Sequence, residues 1–340
     1  MFRQVNRGFA ALFLLAVTVC PWAWAGGEDW MKSIDGEKYL YELTIPGTHD
    51  SGAMVDGRFP STARCQTTTI GEQLDFGIRF LDIRCRRVNN KFAVHHGQVY
   101  QNMNFDDVMD GLRQWLRVHP SETIIMSLKE EYDPEPPDSK PPDPRKDQKT
   151  FGQIFSSYVD KYGSKIWFFG KEVPQLKDVR GKIVLLRRFN EHPLKEPDHR
   201  GLNADNRGWV ENAEATLTSP GPSIFVQDIC SIKGDVSERK WVPIMKYLDE
   251  AKTNNPTTLY LNFTSGFYNT MEIPNIARVA SEINSHLRFY FNWPSNGQGR
   301  YGVVIMDYAD AELTKPIYEK NVTSDSAASP VQYIVPVLRR

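Results

Sequence analysis

Thr44-Ile45-Pro46-Gly47-Thr48-His49-Asp50-Ser51 joins the end of an extended segment to a run of polar residues. Tyr39 to Ile45 alternates and is rich in β-forming side chains, so it is expected to be a strand. Pro46-Gly47 is expected to stop it. The next residues, Thr48, His49, Asp50 and Ser51, can all carry or orient protons. A loop at the C-terminal end of a strand is where α/β enzymes place such groups. A turn with a satisfied polar cluster is the plainer account, and this stretch alone does not decide between the two.

Outward from this segment the pattern is strand, then helix, many times over. Strands are expected at Gly77–Val88, Phe92–His96, Thr123–Glu131, Lys182–Phe189, Ser223–Cys230, Thr258–Thr264 and Gly302–Tyr308. Lys182–Phe189 has a continuous apolar run, Ile183–Leu186, as a strand buried on both faces should. Helices are expected from Asn104, which precedes Phe105, Val108, Met109, Leu112, Trp115 and Leu116 at helical spacing. Others are expected at Phe151–Tyr162, Val236–Ala251, Ile273–Leu287 and Glu312–Lys320. This alternation implies an α/β fold, an imperfect (β/α)8 TIM-type barrel in a single domain. An open doubly wound sheet is the alternative, but no Gly-x-Gly-x-x-Gly follows the first strand to support dinucleotide binding.

A barrel gathers the C-terminal ends of its strands at one rim. Asp82, Arg84, His96, Lys129, Arg188, Asp228 and Asp307 all sit where an apolar strand ends. Singly, each is explained by a local ion pair. Seven in succession, with His49 and Asp50, point to a pocket. Period two places Asp82 and Arg84 on one face, and Ile83 and Cys85 on the other. Adjacent His95 and His96 cannot both face the axis. No Gly-x-Ser-x-Gly nucleophile elbow occurs. Two imidazoles suit a general base and a general acid. Arginine suits a phosphate on which charge grows. The set therefore fits attack of a substrate hydroxyl on its own neighbouring phosphodiester, with no metal and no other cofactor required.

The ends of the chain carry other signals. Arg3 and Arg7 precede an apolar run, Phe9–Val19, and then Ala23-Trp24-Ala25. This reads as a secretory signal peptide over residues 1–25, its apolar run too short to span a bilayer, and implies a secreted protein. Its removal takes Arg3 and Arg7 from the 41 basic side chains, leaving 39 against 42 acidic. Such a balance gives no reason to propose nucleic acid or a polybasic membrane anchor. The barrel is assigned to residues 26–322, with a Pro-rich surface insertion at 132–149 and a tail at 323–340. Seven scattered histidines, without a paired Cys-x-x-Cys or a calcium loop, give no metal motif.

The residues match a family. The segments IPGTHDSG (45–52), GIRFLDIR (77–84), HHGQVY (95–100), PSETIIMSLKEEY (120–132), RGKIVLLRRF (180–189), VQD (226–228), LYLNFTS (259–265) and VVIMDY (303–308) resemble those of secreted bacterial phosphatidylinositol-specific phospholipase C. They keep the family's order over most of the chain. The resemblance implies metal-independent cleavage of membrane phosphatidylinositol, with glycosyl-phosphatidylinositol-anchored proteins as further targets. The products would be diacylglycerol and inositol 1,2-cyclic phosphate. It implies a monomer bound peripherally at the membrane. It casts His49 as general base oriented by Asp307, and His96 as general acid partnered by Asp50. Arg84 becomes the phosphate ligand, with Asp82 beside it. Lys129, Arg188 and Asp228 become ligands of the inositol hydroxyls.

This chain also departs from the family pattern. Cys230 stands where the family has a ring-stacking Tyr, with Trp209 or Phe189 as candidate replacements. Cys85 replaces a Gly. The membrane-facing segment is reduced to Val55–Thr67, with Phe59 but no Trp. A disulfide, if one forms, is expected to join Cys65 to Cys85, while Cys230 looks into the pocket. Two other readings stay open: a metal-dependent glycerophosphodiester phosphodiesterase, and an inactive lipid- or glycan-binding barrel.

Overall fold

The fold follows from how each strand divides its side chains between two apolar layers. The computed structural model describes residues 26–131, 149–189, 200–204, 209–217, 222–270 and 273–322. The signal segment 1–25, residues 132–148 of the Pro-rich insertion and the tail 323–340 lie outside the described residues. The strands are β1 (Thr44–Thr48), β2 (Phe80–Val88), β3 (Lys91–His96), β4 (Val99–Asn104), β5 (Ile124–Glu130), β6 (Trp167–Phe168), β7 (Ile183–Arg188), β8 (Leu202–Asn203), β9 (Glu214–Leu217), β10 (Ile224–Gln227), β11 (Ser231–Ile232), β12 (Leu259–Phe263), β13 (Phe267–Thr270), β14 (Ile273–Asn275) and β15 (Gly302–Met306). The helices are α1 (Ile70–Asp75), α2 (Phe105–Val118), α3 (Phe151–Tyr162), α4 (Leu176–Val179), α5 (Val242–Thr253), α6 (Ile276–Asn292) and α7 (Ala311–Tyr318).

Seven strands pair in parallel in the order β7-β5-β2-β1-β15-β12-β10. Short β6 and β8 add to the free edge of β7, and β9 adds antiparallel to β10. Among the described residues no ladder joins β8 to β9. The sheet is therefore a curled barrel open on that side, the imperfect (β/α)8 form expected.

Alternation along the strands builds both core and site. Ile45, Phe80, Ile125, Val184, Phe263 and Ile305 fill the inside of the barrel. Ile83, Cys85, Met126, Leu128 and Leu185 face outward onto the helices. The outward cluster includes Phe105, Val108, Met109, Leu112, Trp115 and Leu116 of α2. Cross-strand register then stacks the inner residues in layers. Phe80, Ile125 and Val184 are level, and two residues further on come Asp82, Ser127 and Leu186. Two more reach Arg84, Lys129 and Arg188. The apolar interior thus ends in a charged layer at the C-terminal rim. At the opposite end, fully buried Arg79 and Glu122 pair at 2.8 Å. Arg79 also donates to the carbonyls of Leu74, Ile78, Gly27 and Glu28. Removing one partner of such a pair costs about 3–5 kcal/mol.

Several boundaries differ from expectation. Pro46-Gly47 does not stop the first strand but lies inside β1. Pro46 is compatible with an extended backbone, and its carbonyl accepts the Arg79 N–H at 2.9 Å. Gly47 is needed because a Cβ there would stand 2.8 Å from the Phe80 Cβ. Leu40–Glu42 forms a 3-10 turn instead of strand. Residues 273–275 pair with β13, so α6 begins at Ile276, capped by the Asn275 side chain. β10 ends at Gln227, so Asp228 and Cys230 lie beyond the strand. The hairpin partner β4 had no clear alternation and was not expected.

Candidate active site

β1 and β15 run side by side, so their ends deliver His49 and Asp307 together. His49 Nδ1–H donates to Asp307 Oδ1 at 2.8 Å. The His49 N–H donates to the Met306 carbonyl at 2.9 Å, which fixes the backbone of the histidine. Asp307 is itself held, since its Oδ2 accepts the Gly266 N–H at 3.3 Å and its carbonyl accepts Asn284 Nδ2. With Nδ1 committed, Nε2 is the ring atom of His49 left for chemistry.

His96 comes from the end of β3, on the neighbouring side of the rim. Its Nδ1–H donates to the Ala63 carbonyl at 2.6 Å, which leaves Nε2 pointing towards Asp50 Oδ2, 3.9 Å away. Its centroid is 6.1 Å from that of His49, with the rings at 89°. Burial, then Arg84, lower the basicity of His96. His95 points away and packs on Tyr100. Asp50 has φ 41°, a left-handed conformation that Asp tolerates better than most residues. It is fully buried, and burial pushes its carboxyl up to about 8, against the pull of Arg84.

The charged layer forms a network. Arg84 Nε donates to Asp82 Oδ2 at 3.0 Å, and its Nη1 stands 3.9 Å from Glu131. Asp82 Oδ1 accepts from Ser127 Oγ at 2.9 Å and Arg188 Nη1 at 3.1 Å. Burial alone would raise the Asp82 carboxyl, but Arg84 and Arg188 override it and hold it well below the usual range. Lys129 pairs with Glu131 at 3.2 Å and Glu211 at 3.1 Å. Arg188 stacks over Trp209 at 3.6 Å, and Trp209 Nε1–H donates to Asp228 Oδ2 at 3.0 Å. All nine residues expected at the site, His49, Asp50, Asp82, Arg84, His96, Lys129, Arg188, Asp228 and Asp307, are brought to this rim.

Comparison with known proteins shows the family. The family description "Phosphatidylinositol-specific phospholipase C, X domain" matches residues 53–189. A 1-phosphatidylinositol phosphodiesterase of Staphylococcus aureus is 33% identical over 307 residues, 87% of this chain and 92% of the relative. The chain belongs to this family. A 1-phosphatidylinositol phosphodiesterase of Listeria monocytogenes is 28% identical, covering 86% of this chain and 85% of the relative. A solved mutant of the S. aureus phosphatidylinositol-specific phospholipase C superposes with TM-score 0.71 at 29% identity, over 86% of this chain and 98% of that one. The L. monocytogenes phospholipase C, at 24% identity and TM-score 0.68, has the same fold over 88% of this chain and all of that one.

In this phospholipase C chain, sequence reasoning overlooked several groups at the site. Glu131 passed as one of two adjacent glutamates, yet it bridges Arg84, Lys129 and the Gly97 N–H. Burial would raise its carboxyl, but Arg84 and Lys129 hold it down at about 2. Residues 63–66 form a strap over both histidines. Gln66 Nε2 donates to the carbonyls of His49 and Met306, and the Tyr308 N–H donates to the Cys65 carbonyl at 2.7 Å. Lys240, in a π-type turn, is fully buried and donates to the carbonyls of Ile229 and Phe263. Burial lowers it to about 8. Only the second-glutamate position of the KEEY segment offered a signal beforehand.

The cysteines require a correction. Cys65, Cys85 and Cys230 are free. Cys85 faces outward into the helix-packed core, whereas Cys65 faces inward to His96, with Sγ 3.7 Å from Nδ1. The two thiols lie on opposite faces of the sheet wall, so the Cys65–Cys85 disulfide does not form. Cys230 lies past the end of β10 and is only half-buried, so strand periodicity did not apply to it. The aromatic surface beside Asp228 comes from Trp209. Phe189 packs instead with Phe151 and Phe155 in the outer core.

Proposed function

We propose that the chain cleaves phosphatidylinositol to diacylglycerol and inositol 1,2-cyclic phosphate by metal-independent acid–base catalysis. The observation that carries this reading is the opposed pair of imidazoles. Each has Nδ1 committed to an acceptor and Nε2 available. His49 Nε2 takes the proton of the inositol 2-hydroxyl. That oxygen attacks phosphorus, the bond to the diacylglycerol oxygen breaks, and His96 Nε2 supplies the proton to the leaving oxygen. Asp307 stabilises the imidazolium that forms on His49. The roles reverse when water opens the cyclic phosphate.

Arg84 stands between the histidines and the inositol side, and its cationic edge meets the charge that grows on the phosphoryl oxygens. Asp82 holds that edge through Nε and Nη2. A metal-using phosphodiesterase would need a carboxylate where Arg84 stands. Lys129, Arg188 and Asp228 supply donors and an acceptor to inositol hydroxyls, over the face of Trp209. One chain supplies every site residue, which supports action as a monomer. Residues 1–25 support secretion, and measuring the protein in medium and in cells tests it.

Phosphorus NMR of the products tests the mechanism. A cyclic phosphate should appear first, in excess chelator as well as without it. Acyclic inositol phosphate as the first product, or a strict calcium requirement, would overturn the reading. Release of a glycosyl-phosphatidylinositol-anchored protein, assayed separately, tests whether substituted inositols enter the site.

A further inference from the structure

Cys65 has no part in the proposed proton transfers, yet its sulfur lies among their carboxylates and imidazoles. One ligand atom each from Asp50, Cys65 and His96 lie within 4.8 Å of one another, and the same is true of His49, Cys65 and Asp307. The two triplets differ in what is already satisfied. His49 and Asp307 are hydrogen-bonded to each other. Asp50 is fully buried, and neither of its carboxylate oxygens accepts a hydrogen bond among the described residues. Its nearest cation is Arg84 Nε at 3.7 Å, and His96 Nε2 is 3.9 Å away. A buried acceptor left without a donor is costly. Here it is turned towards an imidazole nitrogen and a thiol.

We propose that Asp50, Cys65 and His96 form a site for one soft divalent cation, Zn2+ in type, whose binding switches catalysis off. The donor set, one carboxylate oxygen, one sulfur and one imidazole nitrogen, is of the kind that holds Zn2+ with a fourth position open. Tetrahedral bonds of about 2.0–2.3 Å place ligand atoms about 3.3–3.8 Å apart. The observed spacing therefore closes onto a cation with side-chain rotation of about 1 Å. Carboxylate and thiolate together neutralise the dication beside Arg84. The Cys65 thiol and the buried Asp50 carboxyl both give up their protons when they ligate the cation. A cation held by the His96 imidazole, next to Cys65 Sγ and Asp50, takes out of proton transfer the ring assigned to protonate the leaving oxygen. Only this effect on turnover rests on the proposed function; the binding does not.

The test uses Co2+ as a visible stand-in for Zn2+, added to the full chain under reducing conditions. A thiolate-to-cobalt charge-transfer absorption should saturate at one equivalent and be bleached by Zn2+. It should persist in Cys230→Ser and vanish in both Cys65→Ser and Cys65→Ala. No such band, or a band that survives loss of Cys65, would overturn the site. In the same samples, turnover of a soluble inositol phosphodiester should fall at least tenfold as the band saturates. The Cys65 variants should lose that sensitivity relative to their own metal-free rates. A band with turnover unaffected or increased would overturn the switch. Absence of turnover in the metal-free wild type would instead count against the phospholipase reading, while the band still judges the site.

Discussion

His49 and His96 face each other across the rim with ring centroids 6.1 Å apart and planes at 89°. They descend from different strands, β1 and β3, and are oriented by different acceptors, Asp307 and the Ala63 carbonyl. In the proposed mechanism this gap holds one phosphodiester between a base and an acid. His49→Ala and His96→Ala should each lower kcat by about 10²–10⁴-fold. With a substrate whose leaving group needs no proton, His96→Ala should recover much of its rate and His49→Ala should not. Rates for the four enzyme–substrate pairs decide this, and the opposite recovery would exchange the two roles.

Asp307→Asn removes the anion from His49 but keeps its shape. The imidazolium formed during attack then loses its partner, and kcat should fall about 10²-fold or more while KM changes little. Steady-state kinetics check the split. A rise in KM with kcat preserved would place Asp307 in substrate binding instead.

Glu131 should reveal itself through pH. Its folded pKa of about 2 lies below the ordinary 4.5, so the unfolded chain binds the proton more readily between these values. The stability it contributes is present above pH 4.5 and is lost as pH falls through about 2. Glu131→Gln should be less stable than the wild type by about 3 kcal/mol at pH 7. The difference should shrink steadily towards pH 2. Urea unfolding of both proteins across this range measures it, and a pH-independent difference would contradict the assignment.

Trp209 joins Arg188 to Asp228 through a stacked face and an indole N–H. Trp209→Ala should raise KM for phosphatidylinositol about tenfold, as expected for losing a desolvated cation–π contact and a hydrogen bond. The kcat should change less. Trp209→Phe, which keeps a ring but no donor, should fall between the two in KM. Equal KM for all three proteins would remove Trp209 from the substrate site.

Thiol counting settles the cysteines. In denaturant without reductant, Cys65, Cys85 and Cys230 should all react with a thiol reagent. Mapping a missing pair to Cys65 and Cys85 would restore the disulfide that the structure excludes.

Alternation and strand ends made much of the molecule legible beforehand. Asp82 and Arg84 had to share a face because successive strand residues point to opposite sides. The apolar run of β7, Ile183–Leu186, had to be buried on both. These are local consequences of backbone geometry. The boundaries that failed, at Pro46-Gly47, Ile273–Asn275 and Gln227, lie where a neighbouring ladder or cap overrides local propensity.

The sequence by itself therefore determined the barrel, its charged rim and the residue types that meet there. Only the tertiary structure decided which of them touch. Alternation already puts Glu130 outside, where it pairs with Arg87, and Glu131 on the face of Lys129, but that Glu131 bridges Lys129, Arg84 and the Gly97 N–H was decided by the folded rim. Cys65 and Gln66 reach the site because Tyr308 and Met306, more than 200 residues away, bind their strap by hydrogen bonds. Contacts of that range arise from closing the sheet, and no local periodicity encodes them.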